Sequence, residues 1–400
     1  MPHILLPTSS ELALVLAAAR AVAGVPAPDG LRAQVERRPP DPAALVSVAS
    51  AHGMLPLLGA YLGDHPELSV SAAARATVAR QRRCHTARNL LLAAELVRLV
   101  AAFERAGISA LCYKGPVLAM AVYGSLALRQ IRDLDLLVHP HDVIAARQVL
   151  RAAGYATKVE LPRRWDWLYR QTYHEQPFVS GANAVFVDLH WRLTPPHFSL
   201  PLRFEDVARR GTAVAVGSAG AAAVPAPSAL DSALIHAVHG SYHLWSRLEW
   251  VAVMGAYCAR RLPLDWAAAV SLARQIGAER FLALGAWTAH HLLETPVPPE
   301  LYWETRRWPA VSEHAVAAAR RTLEQANLSA LAAVLELQRL QLQLPSRCWR
   351  RLRFMLLRPL QLTPEDWLPS ADSHVPTVLH APVRLLRLAR KYAKRAWRRV

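Results

Sequence analysis

Cysteine is scarce in this chain: Cys84, Cys112, Cys258 and Cys348 stand far apart, with no close pair. That scatter excludes a disulfide scaffold and a cysteine-based zinc site, and suits reduced, partly buried thiols of an intracellular protein. Aromatic residues are few as well, 7% against a hydrophobic fraction of 53%. The apolar material is therefore largely alanine and leucine, which favours helices and confines strands to short β-branched stretches. A membrane-spanning run is missing. The longest uncharged stretch, Gly211 to Leu230, is rich in Gly, Pro and Ser and makes a poor span. The first residues lack a basic flank, and Glu11 and Arg20 bracket their apolar stretch, which argues against a signal peptide. A folded, cytoplasmic protein is the expectation, and 400 residues point to two or three domains.

Acids are outnumbered, 30 against 47 Lys and Arg, for a formal net charge of +17. The excess is uneven. Residues 346–400 hold thirteen Arg and Lys against Glu365, Asp366 and Asp372, so ten of the seventeen positive charges belong to that segment. Basicity is thus mostly a property of the tail and says little about a catalytic site.

Along the chain, helical spacing predicts helices from Ser10, from about Asp41, and over Asn89–Arg105, where Gly107 gives a stop. The pattern changes at Ile108. Ile108–Tyr113 reads as a buried strand running into the turn Lys114-Gly115-Pro116, and residues 117–127 as a helix. Leu134–Val138 reads as a strand and 141–153 as a helix ended by Gly154. Tyr155–Leu161 and Ala184–His190 are further strands. Gly211–Pro227 suggests a strand plus a loop, and from Ser228 to about Leu344 helical spacing returns. The expected class is α+β: N-terminal helices over 1–106, a small mixed-sheet core over 107–227, a helical domain over 228–345, and a basic segment over 346–400.

The sharpest feature is Arg129-Gln-Ile-Arg132-Asp133-Leu134-Asp135-Leu136-Leu137-Val138. Alternation on a strand puts Asp133 and Asp135 on one face and Leu134 and Leu136 on the other. An Asp-x-Asp alone is compatible with a solvated pair at a strand mouth. It is also a natural seat for Mg²⁺, which takes carboxylate and phosphate oxygens together. Three neighbours bear on the choice. Lys114-Gly115 before a helix lets backbone N–H groups approach a phosphate; Gly124-Ser125 is a second, lesser element of the same type. Arg129 and Arg132 stand ready either to clamp phosphates or simply to balance the aspartates. Val185-Phe186-Val187-Asp188-Leu189-His190-Trp191 places an acid within an apolar strand, where it needs a partner or a metal. Asp188 supplies the third carboxylate that metal-assisted phosphoryl chemistry uses. His190 is a substrate contact, a proton carrier or a hydrogen-bonded neighbour.

Elsewhere, His236, His239 and His243 share a helix face, fit to hold a metal, to play a structural part, or to wall a cleft. Residues 384–400 read as a basic amphipathic helix. It either packs on the body or contacts nucleic acid or an anionic membrane surface.

The succession strand, Lys114-Gly115, helix, Tyr123, Arg129, Arg132, Asp133-x-Asp135, helix, Gly154-Tyr155, then Asp188, His190 and Trp191 resembles the uncharacterised nucleotidyltransferase-like family of the polymerase-β nucleotidyltransferase superfamily. Ala51-His52-Gly53 and Leu234-Ile235-His236 extend the likeness. The resemblance implies a minimal nucleotidyltransferase fold in which Asp133, Asp135 and Asp188 hold Mg²⁺ and catalyse. Lys114, Gly115, Arg129, Arg132 and His190 would bind the nucleotide. The implied reaction moves a nucleoside monophosphate from an NTP, with ATP expected, to a hydroxyl of a small-molecule, sugar or peptide acceptor, in natural-product or polysaccharide biosynthesis. The alternative is a non-catalytic nucleotide- or peptide-binding regulator on a degenerate form of that fold.

Overall fold

The computed structural model describes residue 7 and residues 9–157, 163–181, 184–196, 200–217, 222–259 and 262–324, with a few positions between 339 and 355. Fold class follows the expectation: helices at both ends enclose a mixed sheet. The N-terminal helices are α1 (Ser10–Val22), α2 (Leu31–Arg37), α3 (Pro42–Ala51), α4 (Leu55–Asp64) and α5 (Ala72–Arg105). Next come β1 (Ala110–Cys112), α6 (Gly115–Tyr123), β2 (Asp133–Val138), α7 (Val143–Ala152), β3 (Tyr155–Ala156), α8 (Arg163–Thr172), β4 (Glu175–Ser180) and β5 (Phe186–His190). After α9 (Phe204–Arg210), β6 (Thr212–Val216) and β7 (Ala222–Ala226), the chain is helical again: α10 (Ala229–Tyr242), α11 (Leu248–Cys258), α12 (Trp266–Ile276), α13 (Glu279–Leu293), α14 (Tyr302–Arg307) and α15 (Ala310–Glu324).

Three expectations need correction. The helix expected over Asn89–Arg105 begins at Ala72, capped by the Ser71 hydroxyl on the Ala74 amide. The stretch Gly211–Pro227 is an antiparallel hairpin of β6 and β7, not one strand and a loop. A strand that alternation did not reveal, β4, lies beside β5. The helix expected over 384–400 lies outside the described residues. Among the described residues, no helix is long and apolar enough to cross a membrane.

Strand order in the main sheet is β1-β2-β5-β4-β3, with β2 and β5 parallel and the other pairs antiparallel. One face is the apolar side of these strands: Leu134, Leu136, Val187, Leu189 and Phe178 are buried in a cluster with Leu96, Leu99, Phe103, Ala146 and Leu150 of α5 and α7. The opposite face is mixed, and at one end it is apolar and buried. There Leu111 and Leu137 join the second core, built from α1, α10, α11 and α13. The polar remainder of that face looks toward α10.

The end of α10 is held by Trp245, the largest fully buried side chain. Its ring lies where a Cβ on Gly240 or Gly285 would come within 2.6 or 2.8 Å. Its amide donates to the Gly240 carbonyl at 2.7 Å and its indole N–H to the Ser241 hydroxyl at 3.3 Å. Leu244 and Trp245 both have φ in the left-handed region, 57° and 52°. That conformation costs roughly 1–3 kcal/mol for each such residue and persists because the packing of the indole overrides it. Trp245→Ala is expected to cost about 3–5 kcal/mol, measured by denaturant unfolding, and to loosen the helix that walls the polar face.

Candidate functional site

Register assembles the site. Asp135 on β2 pairs with Asp188 on β5, Asp133 with Phe186, and Leu137 with His190. Paired residues share a face, so Asp133, Asp135, Asp188 and His190 all project toward α10. On the far side of β5, Glu175 of β4 pairs with His190 and Pro177 with Asp188. This adds a fourth carboxylate to the row. Together with Tyr113, Lys114 and His174, these groups line a cavity of about 290 Å³, near the lower bound for small-molecule sites. Ile235, Val238, His239, Tyr242 and His243 close it. Their spacing brings one face of α10 over the carboxylates.

Inside the cavity the Lys114 ammonium lies 3.0 Å from an Asp135 oxygen, and His190 Nε2 lies 3.3 Å from the same oxygen. His190 Nδ1 is 3.2 Å from Glu175, which His174 Nε2 also approaches to 3.3 Å. Burial opposes ionisation of Asp135, but Lys114 and His190 outweigh it and hold this carboxyl well below the usual range. Asp133 has no such partner; burial and then the Asp135 charge raise it. Burial also pushes Asp188 up to about 7; His190 opposes the shift, while Glu175, Asp135 and Asp133 reinforce it. His190 is raised because Glu175 and Asp135 together overcome burial. On the wall, burial lowers His243 to about 4 and His239 further still, so both rings are neutral at ordinary pH.

A divalent ion fits this donor set. Ligand atoms of Asp135, Asp188 and His190 lie within 4.8 Å of one another, and burial raises the Asp188 carboxyl to about 7. Asp133 lines the same cavity.

The other expected nucleotide-binding residues are placed differently. Lys114 reaches the cavity. Gly115 sits just beneath, with φ 54°, where an added Cβ would stand 3.2 Å from the Asp133 carbonyl; glycine is what lets α6 start against β2. Arg129 turns away from the cavity. It pairs with Glu249 at 3.1 Å and donates to the Gly115 carbonyl at 3.3 Å. Arg132 is exposed and is not among the lining residues. Gly124 ends α6 with φ 64°, and the Ser125 hydroxyl accepts from the Ala127 amide, so that pair is consumed by a turn. His236 meets the Trp250 carbonyl at 2.8 Å, leaving His239 and His243 as the wall. His174 and Glu175 were not anticipated. The only available signal was two titratable residues next to one another just before a short apolar run.

A family model described as an uncharacterised nucleotidyltransferase matches residues 38–294. That is more than half of the chain, and the chain belongs to this family, whose activity class is nucleotidyl transfer. No curated protein and no solved structure matches it.

The raised Asp188 gives a pH signature. A carboxyl whose folded pKa exceeds its unfolded value, about 3.9, stabilises the fold fully below that value and ceases to do so as pH rises through about 7. In chelator-treated protein, Asp188→Asn should therefore melt above wild type at pH 8, with the difference closing near pH 4. Equal melting temperatures at both pH values would contradict the assigned environment.

Proposed function

We propose that this chain catalyses Mg²⁺-dependent transfer of a nucleoside monophosphate from an NTP, with ATP the expected donor, to a hydroxyl of a small-molecule, sugar or peptide acceptor. The observation that carries the reading is the row Asp133, Asp135 and Asp188 on one polar sheet face, lining a cleft beside Lys114. Asp133, Asp135 and Asp188 are the residues that would hold the ion. When bound there it supplies positive charge to the triphosphate and to the leaving pyrophosphate.

The chain's own groups do the rest. Lys114 is the cation nearest the carboxylates and neutralises phosphate oxygens. Asp188, which lines the cavity beside the other two aspartates, would both help hold the ion and accept the acceptor's hydroxyl proton as the oxygen attacks the α-phosphorus in line. The neutral wall of His239, His243 and Tyr242 orients the acceptor and keeps water from the α-phosphate. Arg129 acts indirectly, holding the Gly115 carbonyl and thus the turn that presents Lys114.

One observation favours a second reading. Asp135 is already paired with Lys114 and His190, an arrangement in which the chain's own cations fill the seat of an ion and the cavity serves only to bind. Calorimetric titration with ATP and Mg²⁺, followed by assay of released pyrophosphate, separates the two: binding without release favours the regulator. Under the catalytic reading, replacing Asp133 and Asp135 together by Asn lowers Mg²⁺-dependent pyrophosphate release by about a thousand-fold or more while leaving the fold intact by circular dichroism. Full activity in that variant would dismiss the assignment.

A further inference from the structure

Beside the aspartate row stands a donor set of different chemistry. His174, Glu175 and His190 each present a ligand atom, and these atoms lie within 4.8 Å of one another. The set is made by two features of the fold. Glu175 and His190 are cross-strand partners in the β4–β5 register, and His174 immediately precedes β4, with its ring centroid 5.8 Å from that of His190. All three line the same cavity as the aspartates, so the site opens inward toward a bound substrate.

The polar atoms here are poorly served by the protein. His190 Nδ1 and Nε2 are buried and make no hydrogen bond of acceptable geometry, although carboxylate oxygens lie 3.2 and 3.3 Å away. His174 Nδ1 is likewise buried without a partner. Imidazoles left like this cost free energy. Two imidazoles and one carboxylate with an open fourth position match what Zn²⁺ takes in sites that also admit substrate. The same set is a poor host for Mg²⁺, which prefers oxygen donors and retained waters. The neighbouring row of Asp133, Asp135 and Asp188, bordered by the same His190, is richer in oxygen donors and leans the opposite way.

We infer that His174, Glu175 and His190 form a second cation site, selective for Zn²⁺ or an ion of similar softness, on the acceptor side of the aspartate row. The site itself stands on donor chemistry; its role toward an acceptor rests on the function proposed above. An ion there meets the cavity from the β4 side, where it would bind an anionic or hydroxyl group of the acceptor.

The test is calorimetric titration of Zn²⁺ into chelator-stripped full-length protein in excess Mg²⁺. One saturable equivalent is expected in wild type. Affinity should fall about ten-fold or more in His174→Ala and in Glu175→Gln, and be kept in Asp188→Asn, which touches only the oxygen set. Co²⁺ in place of Zn²⁺ adds a readout independent of activity: visible bands of a low-coordinate nitrogen–oxygen site, absent in Glu175→Gln. Melting curves in chelator check that each variant is folded; should His174→Ala fail, Glu175→Gln carries the comparison. The inference is overturned if wild type shows no saturable binding at micromolar Zn²⁺. It is equally overturned if Asp188→Asn loses binding while Glu175→Gln retains it, because the ion would then sit among the aspartates.

Discussion

The parallel pairing of β2 with β5 is the constraint on which the rest of this molecule turns. It sets Asp135 opposite Asp188 with Asp133 beside them, and the antiparallel partner β4 adds Glu175. Two like charges 4 Å apart at a partly buried site repel by about 4 kcal/mol at an effective dielectric near 20. Four carboxylates face one lysine and, at most, one charged histidine, Lys114 and His190. The chain can therefore neutralise only part of the row by itself. It settles the deficit unequally: Asp135 takes both cations and stays ionised, while Asp133 and Asp188 drift upward toward protonation. A surplus of negative charge in such a cleft favours cations over anions.

Such an arrangement persists only on a stiff support. The apolar face of the sheet rests on α5 and α7, and the polar face is covered by α10, whose far end is pinned by Trp245. Asn89, buried on α5, donates to the Leu126 and Arg129 carbonyls at 2.6 Å each, tying down the segment that leads into β2. Arg129 and Arg247 both reach Glu249 at 3.1 Å, joining the core to α11. The His52 carbonyl accepts from the Glu249 amide, and Gly53 lies so close to Glu249 and Arg247 that a side chain there would collide with them. Ala51-His52-Gly53 is thus a packing element between the N-terminal helices and the polar network behind the site.

Much of this could be read beforehand, for physical reasons that differ from residue to residue. Asp133, Asp135 and Asp188 stood out as acids alternating with Leu or Val on strands, a pattern that a solvated pair would also produce. The face they share followed from the period of two. Glu175 stayed hidden because Pro177 interrupts its strand, and proline argues against a sheet interior. Among the described residues, β3 pairs with β4 at Ser180 and Val179 alone, so Pro177 has no described partner on that side to which an amide would donate. Arg129 pairs with Glu249 and does not line the cavity, since sequence adjacency to an aspartate says nothing about which side of the backbone a long side chain takes. Its partner, Glu249, lies 120 residues on. The first half of α5 went unseen because its Arg-rich surface shows little amphipathic pattern.

His190 belongs to both donor sets. Its Nε2 faces Asp135 and its Nδ1 faces Glu175, so the ring stands between the two carboxylates. An ion entering from either side needs the facing nitrogen bare, which releases a proton and leaves the other nitrogen to hold the remaining one. Filling one set thereby changes what the other set can offer. The two are linked through a single ring, and linkage of that kind is reciprocal: whatever an ion at Glu175 does to the affinity of the aspartate row, an ion at the aspartate row does to Glu175.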